Sequence, residues 1–227
     1  WMRSPRWIHA LTAGLSLALA IQNLLWGIGV PFAGMIADRY GTRSVLAFGA
    51  ICYAGGFWGM AEAESGAALQ LFAGVIVGIG VSFTSFALVL TAFAKIVTPD
   101  RRTFALGLGT AAGSLGQVLF SPLGNELIDR YGWETALIVL GVMVVLIVPL
   151  AIAMPSDPSA VGESDVGRSI RSELRLAFAH RGYVLLTLGF FVCGFQIAFI
   201  TVHFPAYVKH IGLDASVGAY AIALVGG

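Results

Sequence analysis

Gly34-Met35-Ile36-Ala37-Asp38-Arg39-Tyr40-Gly41-Thr42-Arg43 is a short charged hairpin set between two long apolar runs. Asp38, Arg39 and Arg43 fall where one apolar run ends and the next begins. Gly34 and Gly41 flank the Asp38-Arg39 pair, and glycine lets a backbone turn tightly. A charge cluster on so short a turn suggests a fixed contact with the rest of a helical bundle, beyond a solvated loop.

Composition agrees with that placement. Of 227 residues, 58% are hydrophobic and 11% charged, with mean hydropathy +0.87. A soluble domain carries about 25% charged residues, so this chain reads as an integral membrane protein. The net charge of +1 gives no basic surplus for nucleic acid. Cys52 and Cys193 each sit in an apolar run and read as buried thiols, not as a disulfide framework. No cleavable signal pattern opens the chain. It starts at Trp1 and ends on the apolar Ala223-Leu224-Val225-Gly226-Gly227, which reads as an internal piece of a longer polypeptide.

The apolar runs reach the roughly 20 residues that span a bilayer, and a spanning chain that satisfies its own backbone is helical. Spans are expected over residues 9–37, 43–61, 67–97, 103–128, 135–154 and 183–209, with a seventh begun near Ala215. The expected fold is therefore an all-α membrane bundle with six full spanning helices and the start of another. Alternate connections differ in charge. One set holds nine basic residues (Arg39, Arg43, Lys95, Arg101, Arg102, Arg168, Arg171, Arg175 and Arg181), and the other holds four (Arg3, Arg6, Arg130 and Lys209). Basic loops stay in the cytoplasm, so the Asp38 hairpin and the stretch 155–180 are expected inside. Within that stretch Ile170, Leu174, Ala177 and Phe178 recur at helical spacing, consistent with an amphipathic helix on the inner surface or with a flexible linker.

The pattern Gly34-x-x-Ala37-Asp38-Arg39-x-Gly41-x-Arg43 between two spanning helices resembles the cytoplasmic signature of major facilitator superfamily transporters. In that family it joins the second and third of twelve helices, and a cytoplasmic loop joins two six-helix halves. The resemblance covers essentially the whole chain. It implies a first half lacking its first helix over residues 1–154, a cytoplasmic linker over 155–180, and the start of a second half over 181–227. It also implies a gating role for Gly34, Asp38, Arg39, Gly41 and Arg43. Asp38 would hold one access state through Arg43 or through a positive helix N-terminus across the bundle. The alternative is a topology signal and a turn.

Polar residues on the spans suggest where a solute could bind. Thr110, Ser114, Gln117 and Ser121 share one helical face, as do Cys193, Gln196, Ile200, His203 and Tyr207. Gln22 and Trp26 align on the first span, with Asn23 beside them. Polar side chains at membrane depth face a bundle interior or a wet cavity, and the competing use is glue between helices. Histidine is the side chain that ordinarily changes charge near neutral pH, so His203 is a candidate for proton coupling; it lies only about two turns from Lys209, and an interfacial structural histidine is the alternative. Gly109 and Gly113 have GxxxG spacing, and Gly74, Gly78 and Gly80 add close-packing positions on the preceding span.

No H-E-x-x-H, no G-x-S-x-G and no metal-ligand cluster is present, so an enzyme is not expected and no cofactor or metal is implied. Asn23-Leu24-Leu25-Trp26-Gly27, Gly116-Gln117 with Tyr131-Gly132-Trp133, and Gly194-Phe195-Gln196 resemble bacterial monocarboxylate and oxalate/formate-type carriers. That likeness implies alternating-access transport of a small organic anion, with Asn23, Trp26, Ser114, Gln117, Gln196 and His203 as candidate binding residues. It implies a multi-pass protein of a bacterial inner membrane, a full-length monomer whose partners are the lipid bilayer and its solute. Efflux of lipophilic compounds, and a non-transporting sensor or assembly subunit, are the alternatives.

Overall fold

A computed structural model of the protein describes residues 6–153 and 170–226, so the middle of the expected linker lies outside the described residues. The described elements are helical throughout. In chain order they are α1 (Arg6–Tyr40), α2 (Thr42–Ala61), α3 (Gly66–Leu69), a π-helical stretch (Gln70–Ile76), α4 (Val77–Phe83), α5 (Phe86–Ile96), a 3-10 turn (Pro99–Arg101), α6 (Arg102–Val145), α7 (Ile147–Ile152), α8 (Ile170–Ala179), α9 (Arg181–His210) and α10 (Ala215–Gly226). Among the described residues, five stretches are long and apolar enough to cross a membrane: Gly14–Tyr40, Thr42–Ala61, Gly66–Ala94, Pro99–Ile152 and Arg181–His210.

The fourth of these has 54 residues. At 1.5 Å per residue it would run about 80 Å, far beyond a hydrocarbon core of about 30 Å. Gly132 resolves the excess: at φ 82° and ψ 163° it breaks α6 into two helices. The break accounts for the two spans expected over 103–128 and 135–154. The loop expected at 129–134 shrinks to that one glycine. Pro122 also lies within α6.

The span expected as one helix over 67–97 is not continuous. It passes through the π-helical stretch and then stops at Thr84-Ser85, where Ser85 takes an extended ψ of 145° before α5 resumes. Ser82 Oγ donates to the Gly78 carbonyl (2.7 Å) and Thr84 Oγ1 to the Gly80 carbonyl (2.9 Å). Hydroxyls that bond back to the preceding turn compete with the helical ladder and favour such a break.

The chain falls into two compact units, one from residues 1–113 and 126–159, the other from 114–125 and 160–227. In the first, α1 and α2 both pack on the stretch from Gly66 to Phe83, through small residues. The Gly80 backbone lies against the Tyr53 backbone, Gly78 against Gln22 and Leu25, and Gly49 against Phe83. The buried core beside these contacts is Ala33, Ala37, Val45, Leu46, Leu88 and Ala151. Lipid is as apolar as leucine, so membrane helices associate by close backbone approach, which small residues permit. The second unit contains α8, α9 and α10. Most of α9 is exposed, Phe190 and Phe191 by 71% and 68%, as suits a helix bounded by lipid or by further protein.

Candidate functional site

The charged hairpin is tighter than its sequence suggests. α1 continues to Tyr40 and α2 starts at Thr42, leaving Gly41 as the whole connection. Gly41 has φ 85°, is buried, and donates its N–H to the Ala37 carbonyl at 2.9 Å. That left-handed conformation favours glycine. Gly34 does not serve the turn, contrary to expectation: it lies within α1. Arg39, in the last turn of α1, is exposed and places its guanidinium 5.5 Å from the Tyr40 ring centroid. A cation in the last turn also suits the negative end of the helix dipole.

Asp38 and Arg43 are half-buried. Asp38 lines a small cavity of about 110 Å³ between α1 and α5, together with Gly34, Thr42, Leu88 and Thr91. The Thr91 hydroxyl donates to its own helix at the Ala87 carbonyl (2.8 Å). The carboxylate thus sits where α1 meets α5, in a pocket just large enough for small polar groups.

The candidate binding residues divide between the units. Asn23 and Trp26 are exposed on α1 in the first unit, and the Asn23 amide donates to the Leu19 carbonyl of its own helix at 2.8 Å. Ser114, Gln117, Gln196 and His203 belong to the second. Ser114 and Gln117 are half-buried on α6, two turns and one turn before Ser121 respectively. Ser121 Oγ donates to the Ala219 carbonyl of α10 at 3.0 Å, so this polar face of α6 does make a contact between helices. Thr110 bonds within its own helix to Leu106 O (2.9 Å).

On α9, Gln196 and His203 are exposed. The His203 ring lies 4.8 Å from Phe199, which in turn stacks at 6.3 Å on Phe195. The face through Phe195, Phe199 and His203 is therefore an aromatic ladder at i, i+4 and i+8 that ends in an imidazole.

Three polar residues of structural weight escaped the sequence reading. Ser82 is almost fully buried and its hydroxyl also lies 3.0 Å from the Leu25 carbonyl, linking α4 to α1. Ser85 is buried at the helix break, and its hydroxyl makes no hydrogen bond. Trp58 Nε1 donates to the Ile138 carbonyl at 3.3 Å, tying α2 to the second part of α6. The cluster Ser82-Phe83-Thr84-Ser85 was the readable signal, since three hydroxyls in four residues are unusual within an apolar span.

A profile of the Major Facilitator Superfamily matches residues 8–227. An uncharacterised MFS-type transporter of Bacillus subtilis, YcxA, is 29% identical over 224 residues, which is 94% of this chain and 54% of the relative. Human monocarboxylate transporter 11 is 28% identical over 225 residues (96% of this chain, 43% of the relative), and rat monocarboxylate transporter 4 is 26% identical over 211 residues (89% and 44%). The chain thus spans about half the length of the curated relatives it matches. The inward-open xylose transporter XylE of E. coli has a similar fold, with TM-score 0.57 and 17% identity over 94% of this chain and 55% of that one.

Proposed function

The chain belongs to the Major Facilitator Superfamily, and from that premise we propose that the intact protein is a secondary active transporter of a small organic anion of the monocarboxylate class, working by alternating access. The observation that carries the substrate class is the likeness, over 96% and 89% of this chain, to proteins named as monocarboxylate transporters. Residues 1–154 are then most of a first bundle half, 155–180 a cytoplasmic linker, and 181–227 the start of the second half, in a bacterial inner membrane.

The polar residues support this reading by their chemistry. Gln117 and Gln196 offer amide donors to a carboxylate, Asn23 and Ser114 add further hydrogen-bonding groups, and Trp26 an apolar wall. His203, when protonated, supplies a positive charge and a route for proton coupling. Asp38 acts as the gate. Placed on the last turn of α1 beside α5, it stabilises one access state by contacts that the other state lacks.

Full-length protein in proteoliposomes, given labelled short-chain monocarboxylates, should show saturable uptake that unlabelled monocarboxylates compete away. Folded and inserted protein with no flux for any organic anion would refute the substrate class. Extrusion of lipophilic dyes without anion flux would favour efflux instead. Asp38→Asn should change both the transport rate and the inward/outward population, and an unchanged pair of readings would reduce the hairpin to a topology signal.

A further inference from the structure

A second cavity in the first unit differs from the Asp38 pocket in every respect. It encloses about 390 Å³ and lies among α2, α5 and α7. Leu46, Val89, Phe93, Leu150 and Ala151 line it, with Thr84 as a hydroxyl-bearing neighbour. That hydroxyl is already committed, because Thr84 Oγ1 donates to the Gly80 carbonyl. The cavity therefore asks for no polar ligand at its wall, and its volume is within the range of ligand pockets, about 300–1,000 Å³.

Its length and position narrow the occupant. Beside α5 the lining runs along α7 from Ile147 to Ala153, a rise of about 9 Å on a helix. That is over half the apolar depth of a single leaflet, itself half of about 30 Å. Topology puts the N-terminus of α2 and the C-terminal ends of α5 and α7 on one side of the membrane, the side of Gly41. At that side the chain carries Arg43, one turn before Leu46 on α2, and the exposed Arg101 and Arg102 just after α5. On that side the nine basic residues counted from the sequence outnumber Asp38, Asp100, Asp157, Glu163, Asp165 and Glu173, which leaves a positive balance.

We propose that this cavity seats one acyl chain of an anionic phospholipid from the leaflet on the Gly41 side, with Arg43, Arg101 and Arg102 drawing its phosphate. Apolar walls that reach over half a leaflet's depth suit part of the chain, and basic groups near a membrane surface attract anionic headgroups. The site is separate from the polar residues assigned to the solute and stands whether or not the protein carries a monocarboxylate.

The test uses full-length protein in nanodiscs containing phosphatidylglycerol with a photoreactive group midway along one acyl chain. Crosslinked peptides are mapped by mass spectrometry. Adducts are expected on the segments bearing Val89, Phe93 and Leu150, above the level on the lipid-exposed Phe190 and Phe191 of α9. Leu150→Trp partly fills the cavity from an exposed position, so folding is preserved, and labelling of α5 should fall to the α9 level. Arg101→Gln and Arg102→Gln should each lower the preference for phosphatidylglycerol over phosphatidylcholine by about fivefold. Labelling no higher than on α9, labelling unchanged by Leu150→Trp, or equal labelling by the two lipids would each overturn the proposal. Crosslinks showing another segment of the chain in the cavity would overturn it as well.

Discussion

Gly80→Ala should be among the most damaging single-methyl substitutions in the first unit. A Cβ placed on Gly80 would lie 2.6 Å from both N and Cα of Tyr53, and 2.7 Å from its Cβ. Carbon contacts settle at about 3.5–4.0 Å, so the shortfall is roughly 1 Å. The obstructing atoms are backbone, and no rotamer change moves them. Relief requires α4 to separate from α2, which would also loosen Gly49 against Phe83. Overpacking costs about 1–3 kcal/mol, and a rigid backbone neighbour puts this case near 3. Helix propensity returns about 1 kcal/mol for Gly→Ala, leaving a net loss near 2 kcal/mol. Gly107→Ala is the control, because nothing lies within 4 Å of its would-be Cβ. Thermal unfolding of the full-length protein in detergent, followed by loss of the monodisperse species, should rank Gly80→Ala well below wild type and Gly107→Ala level with it or above. If the two variants unfold together, the close α2–α4 approach is not what holds this unit.

Ser82→Ala removes the hydroxyl link to the Leu25 carbonyl and should cost about 0.6 kcal/mol in the same unfolding assay. Ser82→Val should cost clearly more, since the space facing it is Gly29, whose would-be Cβ lies 2.7 Å from Ser82 Cβ. Trp58→Phe deletes only the long bond to the Ile138 carbonyl, so a loss of at most about 0.6 kcal/mol is expected, with faster hydrogen exchange around Ile138. The Ser216 side chain first, and then the Ser216 N–H that Asp214 accepts at 2.8 Å, hold its carboxyl below the ordinary carboxylate range. A lowered folded pKa means stabilisation that is present above the unfolded pKa and is lost as pH falls through the folded one. Asp214→Ala should therefore speed exchange at the start of α10 at neutral pH, and the difference from wild type should vanish in strong acid.

The spans were legible because their length and apolarity have no other explanation, and the hairpin was legible because charge is scarce elsewhere. What apolar periodicity could not give was the facing of each helix. Core and lipid are equally apolar, so the apolar residues of α9 do not say which face turns inward, and its polar Gln196 and His203 are exposed. The break at Thr84-Ser85 was hidden for another reason. An apolar run of 31 residues satisfied the length rule without it, and the interruption rests on hydroxyls bonding back to Gly78 and Gly80. At Gly132 the length rule itself demanded a break, but the compact form of that break depends on a single left-handed glycine.

The same reasoning sorts the polar candidates. A polar side chain in a spanning helix can satisfy itself on the turn below, as Asn23 does on Leu19, Thr91 on Ala87 and Thr187 on Tyr183. Such a residue marks no cavity by its polarity alone, because its desolvation is already offset at home. A bond to another helix carries more information, since it fixes which way a face points. Ser121 makes one, to α10. Gln117 is four residues earlier on α6, on the same face, and therefore lies on the α10 side of its helix. Its amide has two donors and an acceptor to satisfy there. Of the six candidates, Ser114 and Gln117 are thus the two whose direction follows from a contact that another residue makes, and Gln117→Leu, one turn from that contact, is the substitution that should most cleanly separate solute binding from helix packing.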